Sequence, residues 1–294
     1  METLFYKQVS EYTDPSIHRS CIDELPNDIG LLCEFVQNLL VHAYWLDKYD
    51  FQIEDSAKFT EMQTRYAKDI LDLAFVKSHN SLNKNKKSQN RVVSICRDFS
   101  LILCTVLRTK GIPARTRCGF ATYLTQDHFE DHWVCEYWND SESRWVMVDA
   151  QLDDVHLKTL NIDFNPLDVP SSRFIYAGEA WGLCRSGDVS PEKFGILNLT
   201  GLPFIKGNLI RDLFSLNKIE LLGWDTGWGI LQEYMSPIQN NTEMELLDKL
   251  ATVSKMSDSP KAKHAVETQQ EIKFPANWCL SEAPSITDLY AQYT

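Results

Sequence analysis

The chain has 294 residues, and its 29 lysines and arginines against 41 aspartates and glutamates give a formal net charge of −12 with histidine neutral. Nucleic acids and anionic membranes bind to basic surfaces, so this charge balance predicts that neither is a partner. A hydrophobic content of 44% and a charged content of 24% are ordinary for a globular protein, which excludes disorder along the whole chain.

The first ninety residues are predicted to be largely helical. Residues 1–25 show no clear periodicity, and we expect an irregular arm there. Apolar residues then recur at spacings of three and four, which predicts helices over about 27–46 and 56–77. The polar stretch 79–90 has no periodicity and predicts a loop.

The most informative segment lies between residues 95 and 149. An apolar face predicts a helix over 95–110, and Gly111 and Pro113 occupy positions typical of a helix end. Three segments rich in aromatic and β-branched residues follow. The predicted strands cover 114–124, 132–138 and 144–149, with a polar turn at 126–131 between the first two. A helix followed by an antiparallel meander is typical of an α+β fold.

Beyond residue 170 the pattern is helical again. Helices are predicted over 171–184, 208–222 and 243–255, followed by a polar, mobile stretch over 257–274. No linker-like composition precedes this region, so we expect an extension packed on the core and not an independent domain. The predicted organisation is an N-terminal helical part over 1–90, a core over 91–170 and a C-terminal helical extension over 171–294.

Eight cysteines are scattered along the chain, without the C-x-x-C pairs that are typical of structural zinc sites. They are Cys21, Cys33, Cys96, Cys104, Cys118, Cys135, Cys184 and Cys279. The N-terminus does not resemble an export signal, and the apolar runs are far shorter than the ~20 residues of a membrane span. We therefore expect a soluble, cytoplasmic protein with reduced thiols.

Cys96, His132 and Asp149 are the candidate catalytic residues. Cys96 lies at the predicted start of a helix, where the helix dipole stabilises a thiolate. A thiol nucleophile needs a base within hydrogen-bond reach, and the base needs a third group that fixes its tautomer. Neighbouring antiparallel strands can present His132 and Asp149 side by side, with the helix of Cys96 packed against that face.

Other residues compete for these roles. His128 competes with His132, but it lies in the polar turn, and the pair lacks the helix and the adjacent glutamate of a zinc-protease motif. We accordingly expect no metal and no cofactor. Asp153 and Asp154 compete with Asp149, and we expect them in the following loop.

Four further residues have both a functional and a structural interpretation. Cys104 and Cys118 could be resolving thiols of a redox switch, but we expect them to pack inside the helix and the strand. Trp224 and Trp228 could line a substrate cleft, but we expect them to anchor the C-terminal helices.

The run from Ile95 to Phe120 resembles the core of the transglutaminase-like superfamily, in which a nucleophilic cysteine begins a helix that ends in Gly-Ile-Pro-Ala-Arg and leads into a strand. The segments His132-Trp-Val-Cys-Glu-Tyr-Trp and Trp145-Val-Met-Val-Asp149 resemble the family's His and Asp strands in the family's order. The resemblance covers about residues 90–152. It implies a papain-like or transglutaminase-like core, in which a nucleophile helix packs on an antiparallel sheet, with helical N- and C-terminal additions.

Two features depart from the family pattern. Many members have glycine at or near the position before the cysteine, whereas Val93-Ser94-Ile95 stands here. The side chain that assists the oxyanion is not identified, and Gln89 and Trp45 are the candidates.

The resemblance implies thiol acyl transfer by Cys96, with His132 moving the proton and Asp149 orienting the imidazole. With water as acceptor the enzyme would be a protease or amidase, and with an amine it would be a transglutaminase. We expect hydrolysis of a peptide, a protein or a small amide, because no sequence feature indicates an amine site or a calcium loop. A non-catalytic peptide-binding protein on the same fold is the alternative from another class.

Overall fold

The computed structural model describes residues 2–78, 88–273, 275 and 285–287. The chain forms two compact units, which are Met1–Thr116 with Trp133–Pro170, and Arg117–His132 with Ser171–Thr294. The three predicted domain ranges stay a prediction. None of the helices in the described residues combines the length and the apolar character that crossing a lipid bilayer requires.

The helices of the first unit are mostly short. They are α1 (Glu2–Lys7), α2 (Arg19–Asp23), α3 (Ile29–Leu39), α4 (Asp55–Met62), α5 (Ala67–Lys77), α6 (Cys96–Thr109) and α7 (Asp154–Thr159), with 3-10 turns at Ser16–His18, Leu46–Tyr49 and Ser88–Asn90. Helix α6 confirms the predicted helix almost residue for residue. The prediction of an irregular arm over residues 1–25 is wrong, because α1 and α2 lie there. Residues 79–87 of the predicted loop lie outside the described residues.

Two predicted helices are shorter than expected because tertiary hydrogen bonds replace helical ones. Helix α3 ends at Leu39, and the chain continues as strand β1 (Leu40–His42), which is parallel to β2 (Val92–Ser94). The predicted helix over 56–77 is interrupted between α4 and α5. There the amide of Ala67 donates to the Tyr12 carbonyl at 2.9 Å, and the Arg65 carbonyl accepts from Arg97 Nη2 at 2.6 Å.

The strands of the core follow the predicted order. They are β3 (Ala114–Ala121), β4 (Phe129–Asn139) and β5 (Arg144–Val148). Strand β4 begins inside the segment predicted as a turn, because Phe129 already pairs with Phe194. In the first unit β5 is antiparallel to β4, with Cys135 opposite Val148. Helix α6 is bonded to this sheet through Ser100, whose Oγ donates to the Val134 carbonyl at 2.7 Å.

The second unit combines a sheet with helices. Its elements beyond β3 and β4 are β6 (Phe174–Tyr176), α8 (Ala177–Ser186), β7 (Phe194–Ile196), β8 (Leu199–Thr200), α9 (Leu202–Leu216), α10 (Asn241–Lys255) and α11 (Ser259–Thr268). The strand order is β6-β3-β4-β7-β8. Helix α9 packs against α8, α10 and α11, and every residue from Phe204 to Leu216 is buried.

The sequence predictions for this unit need three corrections. Helix α8 begins at Ala177 and not at residue 171, because Phe174–Tyr176 pairs with β3. Helix α9 begins six residues before the predicted start at 208. The predicted mobile stretch contains α11, whose first turn is capped by Asp258 and whose Ala262 is fully buried. The α+β class is confirmed. The sheet itself is mixed and not purely antiparallel, because β4 pairs with β5 antiparallel but with β7 parallel.

Candidate active site

Cys96 is the first residue of α6, and its side chain is half-buried and not part of a disulfide. The turn before it is fixed by hydrogen bonds on both sides. The Ser94 carbonyl accepts from the Ala43 amide at 2.9 Å, and the Ile95 amide donates to Asp98 Oδ2 at 3.0 Å. Ile95 has φ −115° and ψ 169°, an extended conformation that any residue adopts. The absence of glycine before Cys96 therefore causes no backbone strain.

A buried ion pair completes this helix start. Arg97 Nη1 donates to Asp98 Oδ1 at 3.0 Å, and both side chains are almost inaccessible to solvent. The pKa of the Asp98 carboxyl is raised above its usual value. Burial causes this increase and outweighs the lowering effects of the adjacent Arg97 charge and of the hydrogen bonds from Ile95 and Arg97. The pair fixes the first turn of α6 next to Cys96 without adding a net charge there.

His132 lies on β4 within the second unit and is 1% exposed. The Tyr123 ring meets its imidazole edge-on, with the ring centroids 5.9 Å apart. The neighbouring Asp131 accepts from Asn208 Nδ2 at 2.7 Å. Burial raises the pKa of Asp131 to about 6, against the lowering effects of that hydrogen bond and of the Arg211 charge. Asp131 is thus a titratable group directly beside His132 in the chain.

Asp149 directly follows β5 and is 1% exposed. Its Oδ1 accepts from the Gln151 amide at 3.0 Å, and its own amide donates to the Pro166 carbonyl at 2.9 Å. Gln37 Nε2 donates to the carbonyls of Ala150 and Leu152 at 3.2 and 3.3 Å. Hydrogen bonds therefore hold the loop after β5 on both of its sides.

Hydrogen bonds join the elements on or beside which the three candidates lie. Cys96 begins the helix whose Ser100 is bonded to β4, and His132 lies on β4 two residues before the Val134 that accepts this bond. Strand β5, which ends directly before Asp149, pairs with β4. The triad of the three side chains stays a prediction.

Comparison with known proteins identifies the segment that holds all three residues. Residues 55–150 match the family model described as the transglutaminase-like superfamily. This segment belongs to that superfamily. A search of curated proteins finds no match. One solved structure, described as a putative cysteine protease from Cytophaga hutchinsonii, is similar at 15% identity, with a TM-score of 0.27. That match covers 50% of this chain and 40% of the Cytophaga hutchinsonii chain.

Within the transglutaminase-like segment, the competing histidine has another role. His128 Nε2 lies 3.3 Å from the Gly195 carbonyl, so this nitrogen donates a hydrogen bond and is not open to a metal. Across residues 2–78, 88–273, 275 and 285–287, no three His, Cys, Asp or Glu side chains are grouped as metal ligands. Of the competing aspartates just beyond the segment, Asp153 caps α7, and Asp154 is the exposed first residue of that helix.

The other cysteines differ from Cys96 in their surroundings. Cys104 and Cys118 are fully buried, in agreement with the packing role predicted for them. Burial raises the pKa of Cys33 to about 12 and that of Cys184 to about 11. Burial also raises the pKa of Cys135, helped by a hydrogen bond with Cys104. Cys279 lies outside the described residues.

The two candidates for the oxyanion side chain have other contacts. Gln89 Nε2 donates to the Asp50 carbonyl at 2.5 Å, so at least one hydrogen of its amide holds a loop. The Trp45 ring lies against the ring of His156, with centroids 4.2 Å apart. The predicted anchors Trp224 and Trp228 are both buried, and Trp228 meets Phe214 of α9 edge-on.

Sequence reasoning missed a partly buried polar cluster next to the transglutaminase-like segment. It consists of Tyr49, Asp153 and His156, with Tyr49 Oη 2.6 Å from Asp153 Oδ2. The spacing of Asp153 and His156 at a helix start was visible in the sequence, but nothing local indicates Tyr49 as their partner.

Proposed function

We propose that the chain is a Cys-His-Asp thiol acyl-transfer enzyme that hydrolyses an amide or peptide bond through a thioester on Cys96. The supporting observation is the position of Cys96, a half-buried thiol at the first residue of the helix in the superfamily segment. Helix N-termini stabilise anions, so this position favours a thiolate. His132 and Asp149 lie in the same segment, on or directly after the paired strands β4 and β5.

In the first step the Cys96 sulfur attacks the carbonyl carbon of the amide, and His132 takes up the thiol proton. The backbone amides at the start of α6 stabilise the resulting oxyanion. The carbon–nitrogen bond then breaks, and His132 donates its proton to the leaving amine. Asp149 orients the imidazole and stabilises its charged form.

In the second step water attacks the thioester, and His132 takes a proton from that water. The carbon–sulfur bond breaks, the carboxylic acid leaves, and the Cys96 thiol is restored. An amine in place of water would form a new amide, which is transglutaminase chemistry. The substrate is a peptide, a protein or a small amide. No cofactor takes part in the proposed reaction.

The proposal is tested by trapping the nucleophile with a panel of electrophilic peptide probes, followed by mass spectrometry of the full chain. We expect a single covalent adduct at Cys96, which Cys96→Ala abolishes. Cys184→Ala is the matched control, because Cys184 is also half-buried, and we expect that variant to react like the parent. A correctly folded protein that gives no adduct, or an adduct elsewhere, contradicts the proposal and favours a peptide-binding protein.

The acceptor is tested with glutamine peptides in the presence and absence of a fluorescent primary amine. Hydrolysis predicts release of ammonia, or of a cleaved peptide, at a rate that the amine does not increase. Incorporation of the amine faster than hydrolysis would instead identify a transglutaminase.

A further inference from the structure

Three polar side chains of the first unit lie outside the proposed catalytic set and bond to one another. Tyr49 Oη donates to Asp153 Oδ2 at 2.6 Å, and His156 Nδ1 lies 2.8 Å from Asp153 Oδ1. Tyr49 and Asp153 are 104 positions apart in the sequence. We call Tyr49, Asp153 and His156 the clasp, because they join two distant segments of the chain.

The protonation states within the clasp follow from its bonds. Burial raises the pKa of Asp153, but hydrogen bonds from His156 and Tyr49 outweigh burial and hold the pKa below its usual value. Asp153 is therefore a carboxylate at neutral pH and can only accept, so Nδ1 of His156 must carry a hydrogen. Burial and the bond to Asp153 raise the pKa of Tyr49, so the phenol keeps the proton that it donates.

The second ring nitrogen of His156 does not take part in these bonds. His156 is 2% exposed, and its Nε2 has no hydrogen-bond partner in the described part of the chain. The Asp153 Oδ1 atom that faces Nδ1 also accepts from the backbone amides of Val155 and His156 at 3.0 and 3.1 Å. The clasp thus depends on one nitrogen, Nδ1, and on one carboxylate that is fully hydrogen-bonded.

The first segment that the clasp joins leads towards Cys96. Tyr49 ends the turn Leu46–Tyr49, which follows β1. Strand β1 is parallel to β2, and β2 ends two residues before Cys96. The Trp45 ring, in the same segment, lies tilted against the ring of His156, with the centroids 4.2 Å apart.

The second segment begins at the proposed orienting carboxylate. Asp153 is four residues after Asp149, and the intervening chain is fixed by the Gln151 amide on Asp149 Oδ1 and by Gln37 on two carbonyls. The clasp holds the far end of this short loop.

Resting on the proposed function, we propose that Tyr49, Asp153 and His156 are positioning residues that hold the loop after β5 and so fix the Asp149 carboxylate for its proposed role in orienting His132. They touch no reacting atom in this role. An orienting group that moves by a fraction of an ångström loses much of its effect on a proton-transfer geometry. Loosening the clasp therefore weakens the stabilisation of the His132 imidazolium and, with it, of the Cys96 thiolate.

The test compares two amides at the histidine position. In His156→Asn the side-chain nitrogen replaces Nδ1, whereas in His156→Gln it replaces Nε2. Both variants lose the ring that lies against Trp45. The readout is the rate at which iodoacetamide alkylates Cys96 in the full chain as a function of pH, which requires no known substrate. Tyr49→Phe removes the other bond to Asp153, and Tyr137→Phe is its control, since Tyr137 is a half-buried tyrosine on β4.

We expect His156→Gln and Tyr49→Phe to slow alkylation near neutral pH by about tenfold, which corresponds to ~1.4 kcal/mol. The midpoint of their pH profiles should move to higher pH. His156→Asn and Tyr137→Phe should stay within about threefold of the parent, or less than ~1 kcal/mol.

Two results would overturn the inference. One is a pH profile like that of the parent for both His156→Gln and Tyr49→Phe. The other is a parent-like alkylation rate in His156→Gln together with a slower rate in His156→Asn, which would show that Nε2 and not Nδ1 makes the important bond. If a histidine variant does not fold, the alkylation rates of Tyr49→Phe and of its control Tyr137→Phe are compared instead, and equal rates overturn the inference. Failure of the proposed function is distinct, since Cys96 would then not be the preferred thiol in the parent protein.

Discussion

Cys96 differs from the other described cysteines in its position at the first residue of a helix. It begins a helix and is half-buried, whereas burial raises the pKa values of Cys33, Cys135 and Cys184. At about pH 6.5 an ordinary thiol with a pKa of about 8.5 is almost fully protonated, so selective alkylation reveals a stabilised thiolate. We expect limited iodoacetamide at this pH to label Cys96 at least about tenfold faster than any other cysteine.

Peptide mapping of the alkylated chain measures this preference. Cys184 is the internal control, because it is also half-buried but lies at the C-terminal part of α8, where the helix dipole disfavours an anion. Labelling of Cys21, Cys104 or Cys118 ahead of Cys96 would contradict the assignment of the nucleophile.

Asp149 allows a second prediction at the same scale. In Asp149→Asn the side-chain oxygen can still accept from the Gln151 amide, so the loop after β5 keeps this bond. The neutral amide cannot stabilise an imidazolium, however, and its NH₂ group favours the wrong tautomer. A cysteine that is already partly ionised depends less on a general base than serine does, so we expect acylation by an electrophilic peptide probe to slow by about ten- to a hundredfold, without being abolished.

The rate of probe adduct formation is measured by intact-mass spectrometry, and the circular dichroism spectrum confirms folding. Cys96→Ala should form no adduct at all. A folded Asp149→Asn variant that reacts at the parent rate would refute the orienting role.

Helix α8 shows how one residue determines the packing of two elements. At Gly178 a Cβ atom would lie 2.3 Å from the Ala251 carbonyl and 2.7 Å from the Ser254 side chain, so α10 approaches the backbone of α8 directly. The Gly178 amide also donates to Ser254 Oγ at 3.1 Å. We expect Gly178→Ala to destabilise the protein by roughly 1–3 kcal/mol, because either helix must shift to accommodate the methyl group.

Gly182, on the same helix, is the matched control. A Cβ atom there would meet nothing within 4 Å, and the residue is exposed. Gly182→Ala should stabilise the protein by roughly 0.5–1 kcal/mol, because alanine loses less backbone entropy in a helix. Urea unfolding measures both variants. Equal changes in the two would show that α10 does not constrain α8.

Local patterns in the sequence were sufficient for the elements that bear the candidate residues. The apolar face of α6, its glycine stop and the aromatic strands β4 and β5 are all encoded within short windows. Elements that depend on distant partners were missed. Leu40–His42 forms a strand only because β2 lies beside it, and Phe174–Tyr176 forms one only because β3 does.

In the candidate site, too, the features encoded by local sequence could be predicted, whereas those that depend on distant partners could not. Cys96, His132 and Asp149 could be selected because each stands at a distinctive place in a local motif. The partnership of Tyr49 with Asp153 could not be predicted, since it joins residues 104 positions apart through a single hydrogen bond. The same holds for the bond of Ser100 to Val134, which connects α6 to the sheet.

The molecule as a whole carries a net charge of −12, so its stability depends on how folding changes the protonation of its carboxyl groups. Hydrogen bonds from Arg144 lower the pKa of Asp168, and hydrogen bonds from Arg185 and Trp181 lower that of Asp248. Such groups stabilise the folded state above the pKa of the unfolded chain, and this contribution is lost as the pH falls through the folded pKa. Asp131, whose folded pKa is raised, has the opposite effect.

The consequence for Asp131 can be measured. Its pKa is about 6 in the folded protein and 3.8 as an ordinary value, so the folded state binds more protons between these two limits. The contribution of Asp131 to the free energy of unfolding therefore decreases as the pH rises from about 4 to about 6, and it is lower by a constant amount above that range. Asp131→Asn keeps an oxygen that can accept from Asn208 and removes the buried charge. We expect this variant to be more stable than the parent at pH 8, by about 1 kcal/mol or more, and the difference to vanish near pH 4.

Urea unfolding of both proteins at pH 4.5, 6 and 8 tests the expected trend across about that window. Asp140→Asn is the control, because Asp140 is exposed in the turn between β4 and β5. Its replacement also removes one negative charge from the net charge of the protein. If Asp140→Asn stabilises the protein as much as Asp131→Asn does, relief of the overall charge explains both variants. A stability difference for Asp131→Asn that does not change with pH would show that the Asp131 carboxyl does not take up a proton on folding. If only Asp131→Asn increases the free energy of unfolding, and only at pH values where the Asp131 carboxyl of the parent is ionised, the destabilisation comes from the buried Asp131 charge beside His132 in the chain.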